Sequence, residues 1–134
     1  MKSISTFLLF VGDQCGRAEE AVSFYTSLFD NSEVIDIEYY GEGEEEPQGT
    51  VKLARFSLNG VEHLASASSL AHKFTFTPAV SFFIECDSQD EIERLHKSLV
   101  DGGAELMPLD NYGFSQTFCW VSDRYGVSWQ LNLA

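Results

Sequence analysis

The chain runs through one order of secondary-structure signals twice, and that repetition limits its folds more than any other feature. The segment Asn59-Gly60-Val61-Glu62-His63-Leu64-Ala65-Ser66-Ala67 lies over Tyr125-Gly126-Val127-Ser128-Trp129-Gln130-Leu131-Asn132-Leu133 at one constant offset. The helical stretches align too, with Glu20, Ser27 and Leu28 on Glu91, Ser98 and Leu99. The first strand aligns with residues 79–86 at a slightly larger offset, because residues 12–16 lengthen the first strand-to-helix loop. Duplication of one supersecondary unit explains these matches together.

Each copy reads as βαβββ. Residues 4–11 are apolar and β-rich, a buried strand. Residues 17–29 switch to helical spacing, with Ala18, Ala21, Val22, Tyr25, Leu28 and Phe29 on one stripe. Strands follow at 33–40, 50–58 and 61–67, the last two joined by Asn59-Gly60, a pair that tolerates positive φ in a tight hairpin. In the second copy a strand at 79–86 precedes a helix that opens on the capping box Ser88…Glu91 and stops at Gly102-Gly103. Strands near 104–107, 116–122 and 127–133 complete it. The expected organisation is one α+β domain over residues 1–134, with module one at about 1–67, a linker at 68–78 and module two at about 79–134.

A chain of 134 residues with 44% apolar and 13% aromatic content can bury a real core. No apolar run approaches the roughly 18–20 residues that span a bilayer. The amino terminus runs straight into a strand pattern, so no signal peptide is read and the cytoplasm is the expected compartment. Twenty-one acidic residues against eight basic ones give a net charge of −13, which repels phosphate backbones, so nucleic acid is not an expected partner. Part of the acid sits in Gly41-Glu42-Gly43-Glu44-Glu45-Glu46-Pro47-Gln48-Gly49, which reads as a solvated hairpin loop. Cys15, Cys86 and Cys119 form no CxxC pair, and those near strands behave as small hydrophobes.

Strand alternation separates two faces. Val127, Trp129, Leu131 and Leu133 take one side of the last strand; Ser128, Gln130 and Asn132 take the other. Val80, Phe82 and Ile84 oppose Ser81, Phe83 and Glu85 in the same way. The apolar sets belong under the helices. The mixed sets belong on a concave side, with Phe118 and Trp120 able to stack on a flat ligand.

Three segments carry a resemblance: Ala18-Glu19-Glu20-Ala21-Val22-Ser23-Phe24-Tyr25, Phe74-Thr75-Phe76-Thr77-Pro78-Ala79-Val80-Ser81-Phe82 and Asp123-Arg124-Tyr125-Gly126-Val127-Ser128-Trp129-Gln130-Leu131. They resemble the PhnB-like branch of the glyoxalase/bleomycin-resistance/dioxygenase (vicinal-oxygen-chelate) superfamily, and the resemblance covers nearly the whole chain. It implies two tandem βαβββ modules forming curved sheets around a concave pocket, and a homodimer. It also implies four metal-ligand positions, which here are Thr6, Leu64, Ser81 and Gln130. Zn²⁺ prefers Cys, His or carboxylate, a set these residues cannot supply, so no metal is expected. The branch is often labelled a ubiquinone-pathway methyltransferase, yet no glycine-rich strand-to-helix turn is present to hold S-adenosylmethionine, and no cofactor is expected.

The expected ligand pocket is therefore Thr6, Leu64, Ser81, Phe83, Glu85, Phe118, Trp120, Ser128 and Gln130. Glu85 and His72 are the candidate acid/base groups: Glu85 as a carboxylate on the concave face, His72 as a titratable group in the linker. His63, opposite Trp129 in the repeat, should face the core, and His96 a partly exposed helix face. Three readings stay open: a metal-free small-molecule binder with an unidentified ligand; a lyase, isomerase or dioxygenase-like enzyme using Glu85, His72 or a non-standard metal site; and a module that acts by dimerising.

Overall fold

A computed structural model describes all residues, 1–134. The chain divides into two compact units, Met1–Thr75 and Phe76–Ala134. Each holds one four-stranded sheet and one α-helix, so the architecture is α+β with two βαβββ modules in tandem. Neither sheet closes on itself. No helix is long and apolar enough to cross a membrane.

In the first unit β1 (Phe7–Phe10) leads through a short 3-10 helix (Gly12–Arg17) into α1 (Ala18–Leu28). Strands β2 (Glu33–Tyr39), β3 (Val51–Leu58) and β4 (Val61–Ala67) follow, in the sheet order β1-β4-β3-β2. The segment expected as a loop at 12–16 is thus helical, and the first strand begins later than its apolar run. Asn59 (φ 50) and Gly60 (φ 79) both take the left-handed conformation between β3 and β4, as a tight hairpin turn requires. The core side gathers Leu8, Phe10, Ala54, Phe56, Ala65 and Ala67 with Ala21, Val22 and Tyr25 of α1.

The second unit repeats the plan with β5 (Ser81–Glu85), α2 (Gln89–Val100), β6 (Ala104–Asp110), β7 (Thr117–Ser122) and β8 (Ser128–Leu133), ordered β5-β8-β7-β6. The Ser88 hydroxyl accepts from the Glu91 N–H at 3.1 Å and so caps α2. The Glu91 carboxylate reaches back to the Asp87 N–H at 2.7 Å, one residue before the expected partner. After α2 the chain passes so close to β7 that any side chain at Gly103 would overlap the Ser122 carbonyl. Trp129, Leu131, Val121 and Cys119 pack on the α2 side with Ile92, Leu95 and Leu99, all fully buried. Phe82 stacks on Trp129 with ring centroids 4.7 Å apart. Val80, grouped with these by alternation, is 76% exposed because it precedes β5, outside the pleat that would have turned it inward.

The turn from β7 to β8 is organised around a buried carboxylate. One oxygen of Asp123 accepts from the N–H groups of Tyr125 (2.8 Å) and Val127 (3.0 Å), and the other accepts from Trp129 Nε1 (2.9 Å). Buried charge is tolerated only when its acceptor sites are filled in this way. The Asp123–Leu131 segment that carries the family resemblance is therefore, in this half, a folding device.

Candidate functional site

The helix-free face of the second sheet places polar and aromatic side chains in register. One parallel and one antiparallel pairing meet on β8 and set out three rows. Ser122, Ser128 and Ser81 form the first, Trp120, Gln130 and Phe83 the second, and Phe118, Asn132 and Glu85 the third. On β6, Met107 extends the second row and Asp110 the third. Pleating puts paired residues on the same face, so this grid follows from backbone pairing alone.

Hydrogen bonds tie the first two rows together. The hydroxyls of Ser81 and Ser128 lie 2.6 Å apart, Trp120 Nε1 donates to Ser128 Oγ at 2.8 Å, and Gln130 Nε2 donates to Ser81 Oγ at 3.4 Å. In the third row Asn132 Nδ2 donates to the Glu85 carboxylate at 3.0 Å. Phe83 stands 53% exposed beside this network. Past the end of β6, Tyr112 and Phe114 gather on Phe118, with the Phe114–Phe118 centroids 5.1 Å apart.

Seven of the residues singled out from sequence thus share one face: Ser81, Phe83, Glu85, Phe118, Trp120, Ser128 and Gln130. Thr6, Leu64 and His72 belong to the first unit. Thr6 precedes β1, and the parallel register pairs Leu64 with Phe7. Gln130 pairs with Phe83, so the first-module counterpart of Phe83 is Phe7 and that of Ser81 is Ser5, one residue from Thr6. The extra residue of offset arises in the strand-to-helix connection, which sequence comparison alone leaves free to slide.

His72 accompanies different partners. Its Nε2 lies 2.9 Å from Ser68 Oγ and its ring 4.7 Å from that of Phe74. Nearby the Ser69 N–H donates to the buried Glu46 carboxylate at 2.6 Å, and hydrogen bonding from Ser69 holds that carboxyl below its ordinary range. The acidic loop is thus pinned to the linker through one of its glutamates. Nothing in the run of charge distinguishes Glu46 from its neighbours. Asn132 was readable, since it continues the alternation of Ser128 and Gln130.

Side chains elsewhere have structural duties. His63 packs on Phe56 (5.6 Å between centroids) on the core side, and burial lowers its pKa. His96 lies 2.6 Å from Glu105 on the surface. Burial pushes the Cys86 thiol up to about 11 and that of Cys119 to about 12, which keeps both protonated and poor nucleophiles.

The chain matches, over residues 2–132, the family described as 3-demethylubiquinone-9 3-methyltransferase. Among solved structures it is similar to a PhnB protein from Bacillus cereus, 49% identical over 99% of this chain and 100% of that one, with a TM-score of 0.93. A protein from Pseudomonas aeruginosa is 25% identical over 98% of both chains (TM-score 0.78). A glyoxylase/bleomycin resistance protein/dioxygenase domain from Frankia shares the fold at 14% identity, over 100% of this chain and 93% of that one (TM-score 0.64). No curated protein matches.

The residues fit neither group that these names suggest. Ser81, Gln130, Leu64 and Ser5 offer one amide and two hydroxyls between them, and no three His, Cys, Asp or Glu side chains cluster as metal ligands. Each sheet has a single parallel pair, and the strand-to-helix turn after β1 is a 3-10 helix, so the glycine-rich cradle of a doubly wound nucleotide site has no counterpart. Sequence match, strand order and fold nevertheless agree, and the fold is also that of the Frankia domain: the chain belongs to the PhnB-like 3-demethylubiquinone-9 3-methyltransferase family.

Proposed function

We propose that the protein binds a small organic molecule on the helix-free face of its second module without a metal. The carrying observation is the hydrogen-bonded chain Gln130–Ser81–Ser128–Trp120 beside exposed Phe83. Ser128 is buried and finds its partners within this chain, while the half-buried Ser81, Trp120 and Gln130 carry the network to the surface, where their remaining donor and acceptor capacity is open to a ligand. Fixed polar groups among aromatic walls are what orient a small ligand. Native mass spectrometry of the purified protein, followed by release of any bound metabolite, tests the reading. A bound species lost in a Ser128→Ala variant supports it; an empty protein that no metabolite extract stabilises counts against it.

The second reading is a homodimer, favoured by β2. This edge strand exposes Val34, Ile35 and Tyr39. An apolar edge is a pairing surface that a second copy would cover. Sedimentation equilibrium at high micromolar concentration checks this, and a clean monomer refutes it.

A further inference from the structure

The third row of the second sheet is richer in acceptors than the ligand-binding reading needs. Asn132 is only 8% exposed, and its Nδ2 is spent on Glu85, yet its Oδ1 meets no donor. A buried carbonyl oxygen without a partner is costly, and native structures keep few of them. Glu85 has a second carboxylate oxygen beyond the one that accepts from Asn132. Asp110 stands across Phe118 in the same row. Between the acids lie Phe118 and, clustered on it, Phe114 and Tyr112, whose rings are exposed and whose faces carry negative potential. The cations of this module are Arg94 and Lys97 on α2 and Arg124 in the turn after β7; strands β5 to β8 carry no Lys or Arg. This end of the face therefore presents acceptors, negative charge and aromatic surface, a combination that attracts N–H donors bearing positive charge and repels phosphate or carboxylate.

We infer that Asn132, Glu85 and the Phe118–Phe114–Tyr112 cluster form a subsite for a protonated amine or amidine attached to an aromatic or apolar body. The inference rests on the small-molecule reading above and names the class of ligand. The cationic nitrogen donates one hydrogen bond to the exposed Glu85 carboxylate and, once a side-chain rotation uncovers it, another to the buried Asn132 Oδ1, while its organic body lies on the exposed Phe114 and Tyr112 rings that pack on Phe118. No bond is made or broken.

The test uses three probes of similar shape and different charge: benzylamine, benzyl alcohol and benzoate, each titrated at pH 7 into the isotope-labelled protein and followed by NMR. Benzylamine is expected to shift the Asn132 side-chain amide and the backbone amides of Glu85 and Phe118. It should bind about ten-fold more tightly than either other probe, a preference of ~1.4 kcal/mol. Glu85→Gln should bring benzylamine and benzyl alcohol to similar affinity, and Phe118→Leu should weaken both together. Equal binding of benzyl alcohol at these residues would leave the small-molecule reading intact and overturn the charge assignment. So would an unchanged preference in Glu85→Gln. Probes that bind elsewhere, or not at all, refute the subsite, while the search for a co-purified metabolite still judges the wider reading.

Discussion

The two modules share strand order and pairing, and they differ in what fills equivalent positions. The register makes Arg55 the counterpart of Trp120 and Glu62 that of Ser128. In the first module these positions hold an exposed ion pair, Arg55 Nη1 to Glu62 Oε1 at 3.0 Å. In the second they hold the indole-to-hydroxyl bond of the candidate site. Leu64 stands where Gln130 does, Leu9 where Glu85 does, and Ser66 where Asn132 does. On the core side His63 replaces Trp129, and Leu58 replaces Asp123 at the start of a turn one residue shorter. Backbone pairing survived duplication because it needs no particular side chain. The face chemistry diverged, into a hydrogen-bonded polar and aromatic network in one copy and an exposed ion pair in the other.

Replacing the core aromatic should break that comparison most visibly. Trp129→Ala removes a side chain with 0% exposure and is expected to cost about 3–5 kcal/mol, the range for truncating a buried aromatic. His63→Ala, at the equivalent but partly exposed position, should cost about 1 kcal/mol. Urea unfolding of both variants measures the contrast, and equal losses would show that the two cores bear load alike.

Installing the first module's residue in the second, as Asp123→Leu, leaves two backbone N–H groups and the Trp129 indole N–H without their acceptor. Roughly 3 kcal/mol of destabilisation is expected from buried donors so orphaned. A variant within 0.5 kcal/mol of the parent, an order-of-magnitude surface effect, would show that the longer turn does not depend on the carboxylate.

A smaller difference separates the modules in their response to acid. Burial lowers the folded-state pKa of His63 below its ordinary value near 6.5, so the unfolded chain takes up this proton first as pH falls. Its contribution to stability is complete above about pH 6.5 and is lost as pH drops through the folded value. His63→Phe should flatten that part of the stability profile, whereas Trp129→Phe should lower the whole profile without changing its slope there. Melting temperatures across pH 5 to 8, roughly the range in which histidine titrates, decide the point.

The smallest expected effect is none at all. Purified protein should hold well under one equivalent of transition metal, and EDTA should leave its melting temperature unchanged, since a bound ion would stabilise the folded state by mass action. Near-stoichiometric metal with a chelator-sensitive melt would restore metal-assisted chemistry and show that the second module has a ligand set other than Ser81 and Gln130.

Periodicity along the sequence determined a great deal of this protein. It marked both βαβββ units, the Asn59-Gly60 turn, the Ser88 cap and the face shared by Ser81, Phe83, Glu85, Ser128 and Gln130, because pleating and helical pitch convert spacing into direction whatever the neighbours are. What spacing cannot supply is register between segments far apart in the chain. Pairing of β1 with β4 moved the expected Thr6 position to Ser5, and pairing across β7, β8 and β5 set Phe118, Asn132 and Glu85 in one row. Tertiary contacts also chose Glu46 from a run of like charges and gave Asp123 its three donors. Those assignments depend on which groups meet across loops, where a shift of one residue changes every partner, so only the folded structure could decide them.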